Sequence, residues 1–71
     1  MRYFFHVSDG SNTINDDEGT FLSGPAVALL QAAIIAAELA QDGGSYNGYV
    51  VYVTDEQGND IGKVPVVIEM P

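Results

Sequence analysis

Ala26 to Ala40 is the longest apolar run in the chain, broken only by Gln31 and Glu38. Ala, Leu, Gln and Glu are strong helix formers, and helix punctuation brackets the run. Ser23-Gly24-Pro25 precedes it. Proline suits the first turn, where its missing N–H loses no partner, and Ser23 or Gly24 would be the cap. Asp42-Gly43-Gly44 follows, with Gly43 suited to the left-handed position just past a helix end. One helix is therefore predicted over Pro25 to Gln41. A membrane span takes about 20 apolar residues, so this run is too short to be one. Everything else must be arranged to cover it.

The flanks read as strands. Arg2 to Ser8 is aromatic and branched, which favours a strand. Asp9-Gly10-Ser11-Asn12 has turn chemistry, because Asp and Asn bond their own backbone. Thr13 to Asn15 then reads as a short return strand, and Asp16-Asp17-Glu18-Gly19 as an exposed acidic bend. Beyond the helix, Ser45 to Gly48 is a loop and Tyr49 to Thr54 the clearest strand. Asp55 to Asp60 is a polar turn around Gly58-Asn59, and Ile61 to Glu69 a last strand. Pro65 has no donor, so this strand should lie at an edge or turn Pro65 away from the ladder. The order ββαββ predicts an α+β fold. It is one small domain over residues 1–71, a two-layer, mainly antiparallel four-stranded sheet with one helix on one face.

Strand side chains alternate between faces. Tyr3, Phe5 and Val7, with Tyr49, Val51 and Val53, are assigned to the helix side, because the other set includes His6, Ser8 and Thr54. Phe4, His6, Val50 and Tyr52 then fall on the open face, which should be polar and is not. The helix is over-apolar too. Ala28, Leu29, Ala32, Ala33, Ala36, Ala37 and Ala40 share one broad side, with Gln31, Glu38, Gln41 and Asp42 roughly opposite. Val27, Leu30 and Ile34 form a second apolar group beside the polar stripe. A helix apolar nearly all round is usually buried on more than one side. The chain has 71 residues and no cysteine. Such a chain buries only roughly 60% of its unfolded surface, and it has neither a disulfide nor a Cys-based metal site as a staple. Oligomerisation is the remaining staple. Phe4, His6, Val50 and Tyr52, or Val27, Leu30 and Ile34, are the candidate interaction residues.

Arg2-Tyr3-Phe4-Phe5-His6-Val7, Asp9-Gly10, Asp16-Asp17-Glu18-Gly19, Glu38-Leu39, Val53-Thr54-Asp55-Glu56, Gly58 and Val64-Pro65 occur in that order. The ordered set resembles a family of short bacterial proteins of unknown function, over nearly the whole chain. The resemblance implies a stand-alone cytoplasmic bacterial domain and supplies no activity. Such proteins commonly carry several Arg and Glu in the helix and charges at alternate positions of the strand after it. Here those places are largely apolar, which implies a member adapted to association.

The charge narrows the function classes. Two basic and ten acidic side chains leave a net charge of −8. Nucleic-acid affinity draws on several phosphate contacts, and only Arg2 and Lys63 could make them. Anionic membrane surfaces are disfavoured for the same reason. No signal peptide is read at Met1 to Val7, so a cytoplasmic location is expected. Hydrophobic residues make up 46%, which excludes a disordered acidic tail. His6 lacks a recognisable Ser/His/Asp or Cys/His set, so no catalytic residue is assigned. Asp16-Asp17-Glu18 and Asp55 to Asp60 carry oxygens that suit Ca²⁺, but neither has the EF-hand spacing. Gly43-Gly44 follows the helix instead of opening it, so it is no phosphate loop. Tyr3, Phe4, Phe5, Tyr49 and Tyr52 are read as core plus interface, not as a base-stacking platform, given the charge. No cofactor or metal is expected. The expected function is a non-enzymatic structural or protein-interaction module that self-associates as a homodimer or higher oligomer. The alternative is an acidic nucleic-acid mimic that inhibits a basic protein.

Overall fold

The computed structural model describes residues 1–42 and 44–67. Its elements are β1 (Arg2–Ser8), β2 (Thr13–Ile14), β3 (Thr20–Phe21), α1 (Pro25–Ala40), β4 (Val50–Asp55) and β5 (Asp60–Pro65). The strands hydrogen-bond in the order β2-β1-β4-β5, and β3 also pairs with β1. Every pairing is antiparallel. The α+β expectation holds, with five strands where the spacing predicted four.

The additional strand is β3. The outer edge of β1 is shared by two short strands: β2 pairs Ile14 with Val7, and β3 pairs Thr20 with Tyr3 and Phe21 with Arg2. Between them the chain leaves the edge as the Asn15–Gly19 bend. At two residues, β3 shows no alternation to read; the waiting edge of β1 defines it.

β1 and β4 form the centre. Their register pairs Phe5 with Val53 and Val7 with Val51, so both apolar sets share one face. A slip of one residue would send them to the other side. The assigned helix side is correct: Tyr3, Phe5, Val51 and Val53 are buried with Ala28, Ala32, Ala36 and Val66. β5 is an edge strand. Val66 N–H donates to Tyr49 O at 2.9 Å, and antiparallel N–H groups alternate in direction. Pro65, opposite Val50, therefore turns its donorless nitrogen outward. Ile68 and Glu69, which the sequence assigned to this strand, lie outside the described residues, as does Gly43.

α1 lies over β4 and β5. Gly24 is its N-cap, in extended backbone with no side-chain cap, and Pro25 sits in the first turn. The buried stripe is Ala28, Ala32 and Ala36, one residue per turn, so the helix backbone comes close to the sheet. Gly62 allows the same closeness at β5: a Cβ there would lie 2.6 Å from Leu29 Cδ2. The broad buried side read from the sequence is corrected in one respect. Leu29, Ala33 and Ala37 are exposed, while Ile35 and Leu39 pack against the core. The longer Ile35 and Leu39 reach past the alanines into the sheet and turn the helix toward their side.

Candidate functional site

The acidic side chains do more structural work than solvation. Asp16 is half-buried in the bend beside β1. Its Oδ2 accepts from Phe5 N–H at 3.1 Å, and its Oδ1 accepts from Glu18 and Gly19 N–H at 3.1 and 3.0 Å. The carboxylate thus supplies the acceptor that a paired strand would have offered Phe5 between β2 and β3. Asp9 Oδ1 accepts from Ser11 and Asn12 N–H in the first hairpin. Asp55 Oδ1 accepts from Gln57 and Asn59 N–H, and its Oδ2 from Asn59 Nδ2. Each residue closes a turn by bonding its own following backbone.

These bonds favour the ionised form. Burial pushes the Asp16 carboxyl up, but Gly19, Phe5 and Glu18 N–H and nearby His6 together hold it below the ordinary 3.8. Asp55 is held down by the Asn59 side-chain amide first, then by backbone N–H groups. Asp9 is held down by Asn12 and Ser11 N–H. A carboxylate depressed in the folded state stabilises fully above its unfolded value and loses that contribution as pH falls through the folded one. Stability should therefore decline below about pH 4. Urea midpoints measured across that range check this, and Asp16→Asn should show a shallower decline than the parent chain.

The two acidic turns meet at one end of the sheet, with Arg2 between them. Arg2 N–H donates to Glu56 Oε1 at 2.6 Å, and the guanidinium lies 4.6 Å from the Phe21 ring centroid. From the other side, Gly19 has φ 73°, and a Cβ there would lie 2.7 Å from Arg2 Cγ and 2.9 Å from Phe4 Cε1. Residues with a Cβ rarely adopt that backbone, and glycine leaves that space. Arg2, Phe4, Phe21 and Glu56 line an open hollow of about 410 Å³. It offers a cation, two aromatic faces and a carboxylate, but no nucleophile paired with a base.

The candidate interaction residues fall on opposite sides of the molecule. Phe4, His6, Val50 and Tyr52 share the sheet face away from α1, and all four are half-buried. Phe4 and His6 lie near-parallel, centroids 6.4 Å apart, with the Asn15–Gly19 bend against them. Val27, Leu30 and Ile34 lie on the outer face of α1, exposed by 40%, 63% and 48%. No single surface contains both groups. Among the described residues, no cluster of three His, Asp or Glu is placed to hold a metal ion, and no helix is long and apolar enough to cross a membrane.

The sequence reading missed two roles, that of Asp16 as a backbone acceptor and that of Thr54 as a partner to His6, Nε2 to Oγ1 at 3.2 Å. The Asp-x-x-Gly spacing at 16–19 was the available signal for the first. The second depends on strand register, which no local spacing encodes. A family model described as Domain of unknown function (DUF6894) matches residues 2–67. No curated protein and no solved structure matches.

Proposed function

The chain belongs to the Domain of unknown function (DUF6894) family, and we propose that it is a non-enzymatic interaction module that self-associates through the outer face of α1. The carrying observation is the exposure of Val27, Leu30 and Ile34 beside exposed Ala33 and Ala37. Glu38 is the only charge in α1. Contiguous exposed apolar surface of this kind marks a contact site, and alanines between the larger side chains let two helices approach closely. A second copy suits it, because the acids other than Glu38, which lies one turn beyond Ile34 at the margin of this face, gather at turns. The other candidate set, on the sheet face, is already half covered by the chain itself. The module would act in the cytoplasm of a bacterium, without nucleic-acid or membrane binding.

Magnitude sets the expected strength. A helix of this length is about 24 Å long and 10 Å wide, so a pair buries roughly 500 Å². Stable specific interfaces bury about 1,200–2,000 Å². Self-association is thus expected to be weak, with Kd on the order of 100 μM. Sedimentation equilibrium from about 10 μM to 1 mM, a range bracketing that Kd, should show mass rising with concentration. Leu30→Asp combined with Ile34→Asp should hold the chain monomeric, and Tyr52→Asp should not. A parent chain that stays monomeric throughout overturns the proposal. Dissociation by Tyr52→Asp alone would move the contact to the sheet face.

The second reading, an acidic mimic that occupies a basic protein, is favoured by the convergence of the two acidic turns around Arg2. Salt-sensitive capture of a basic nucleic-acid enzyme, abolished by Glu56→Gln with Asp17→Asn, would support it.

A further inference from the structure

The sheet face away from α1 contains a titratable ring joined to two other elements at once. His6 is half-buried on β1. Asp16 N–H donates to His6 Nδ1 at 3.2 Å, and Nε2 lies 3.2 Å from Thr54 Oγ1 on β4. A backbone N–H only donates, so Nδ1 must carry the lone pair. The proton of the neutral ring is then on Nε2, and Thr54 Oγ1 accepts it. This tautomer is assigned from its partners. An imidazolium has protons on both nitrogens, and its Nδ1–H would confront the Asp16 N–H, donor against donor.

We propose that His6 is a proton-sensitive latch for the Asn15–Gly19 bend. When neutral, the ring holds the Asp16 backbone against β1, with the bend packed on Phe4. When protonated, it releases that end. The Asp16 carboxylate stays on Phe5 N–H, so the release is local and the sheet remains intact. The surrounding titratable and charged groups come from the bend and from β1, β4 and β5. Asp16 is on the bend, Tyr52 lies opposite on β4, and Lys63 pairs with Tyr52 on β5. Arg2 lies beyond Phe4 on β1. These groups set when the ring takes its proton; the donor conflict at Nδ1 sets what the proton does. The latch is independent of the α1 face and does not rest on self-association.

Two neighbouring amides separate the latch from simple carboxylate titration. Asp16 N–H reports the imidazole, and Phe5 N–H reports the Asp16 carboxylate. In an NMR titration from about pH 8 to 3, the His6 ring resonances themselves mark where the imidazole gains its proton. The Asp16 amide shift should follow the His6 ring, while the Phe5 amide moves only in the acid step. Asp16 amide exchange, corrected for its intrinsic pH dependence, should quicken roughly five- to tenfold as its hydrogen bond is lost. The first Asp16 step should vanish in His6→Gln. An Asp16 amide that stays flat through the His6 titration overturns the latch in the parent chain alone. Persistence of that step in a folded His6→Gln overturns it equally.

Discussion

Asp16→Asn is expected to destabilise the fold by about 2–3 kcal/mol, which is large for a half-buried side chain on a bend. The carboxylate accepts three backbone N–H groups through two oxygens. An amide keeps one acceptor and turns an NH₂ group toward donors. If the oxygen stays on Glu18 and Gly19, Phe5 N–H loses its partner at the centre of the β1 edge. If it turns to Phe5, the bend opens. For a domain of this size the loss corresponds to a fall in Tm of roughly 10–20 °C. Thermal unfolding by circular dichroism checks it. Asp17→Asn, next in sequence but exposed, is the control and should fall within about 0.5 kcal/mol of the parent. Equal effects at the two positions would show that Asp16 contributes only charge.

The second large effect is expected at Ala32, which is fully buried beneath α1. Ala32→Leu adds three carbons where helix and sheet are held apart by methyl groups alone. Overpacking a tight core costs about 1–3 kcal/mol, occasionally more. The upper end is expected here, because Ala28 and Ala36 press the same helix face onto Val51 and Val53 and the helix cannot tilt to make room. Ala37→Leu adds the same carbons on the exposed side and should change stability by less than about 0.5 kcal/mol. Urea unfolding of the pair measures the rotation of α1 directly. If Ala37→Leu proves the more damaging, the helix faces the other way.

Much of the fold was legible locally. The helix start at Pro25 was read correctly and its end within one residue, at Ala40 instead of Gln41, because capping and propensity act within a turn or two of chain. The faces of β1 and β4 were legible because period-two alternation is strict and one face had to be apolar. Pro65 marked β5 as an edge strand because it lacks a donor. β3 was not legible: Thr20 and Phe21 are strand only because Arg2 and Tyr3 offer an unoccupied edge. The rotation of α1 was half legible, since alanine populates nearly every side of the helix and its pattern contains little direction.

The candidate site divides in the same way. Val27, Leu30 and Ile34 were identifiable as surplus apolar surface before any contact was known, and they stand exposed. Phe4, His6, Val50 and Tyr52 were identified by the same criterion and instead lie half-buried. For Phe4 and His6 the difference is the Asn15–Gly19 bend, read as a solvated acidic turn. Its Asp16 folds back to serve Phe5 and His6 across 11 and 10 positions of sequence.

Composition and spacing by themselves determined the class of this protein: one helix on antiparallel strands, with an apolar surplus on both the helix and the sheet. Those properties follow from residue type and short-range periodicity. The tertiary structure alone decided which surplus surface stays exposed, which acids are committed to backbone N–H groups, and that His6 joins a strand to a bend. Each of these depends on groups distant in sequence meeting at hydrogen-bond range, and only the register of β1 against β4 and the path of the bend bring them there.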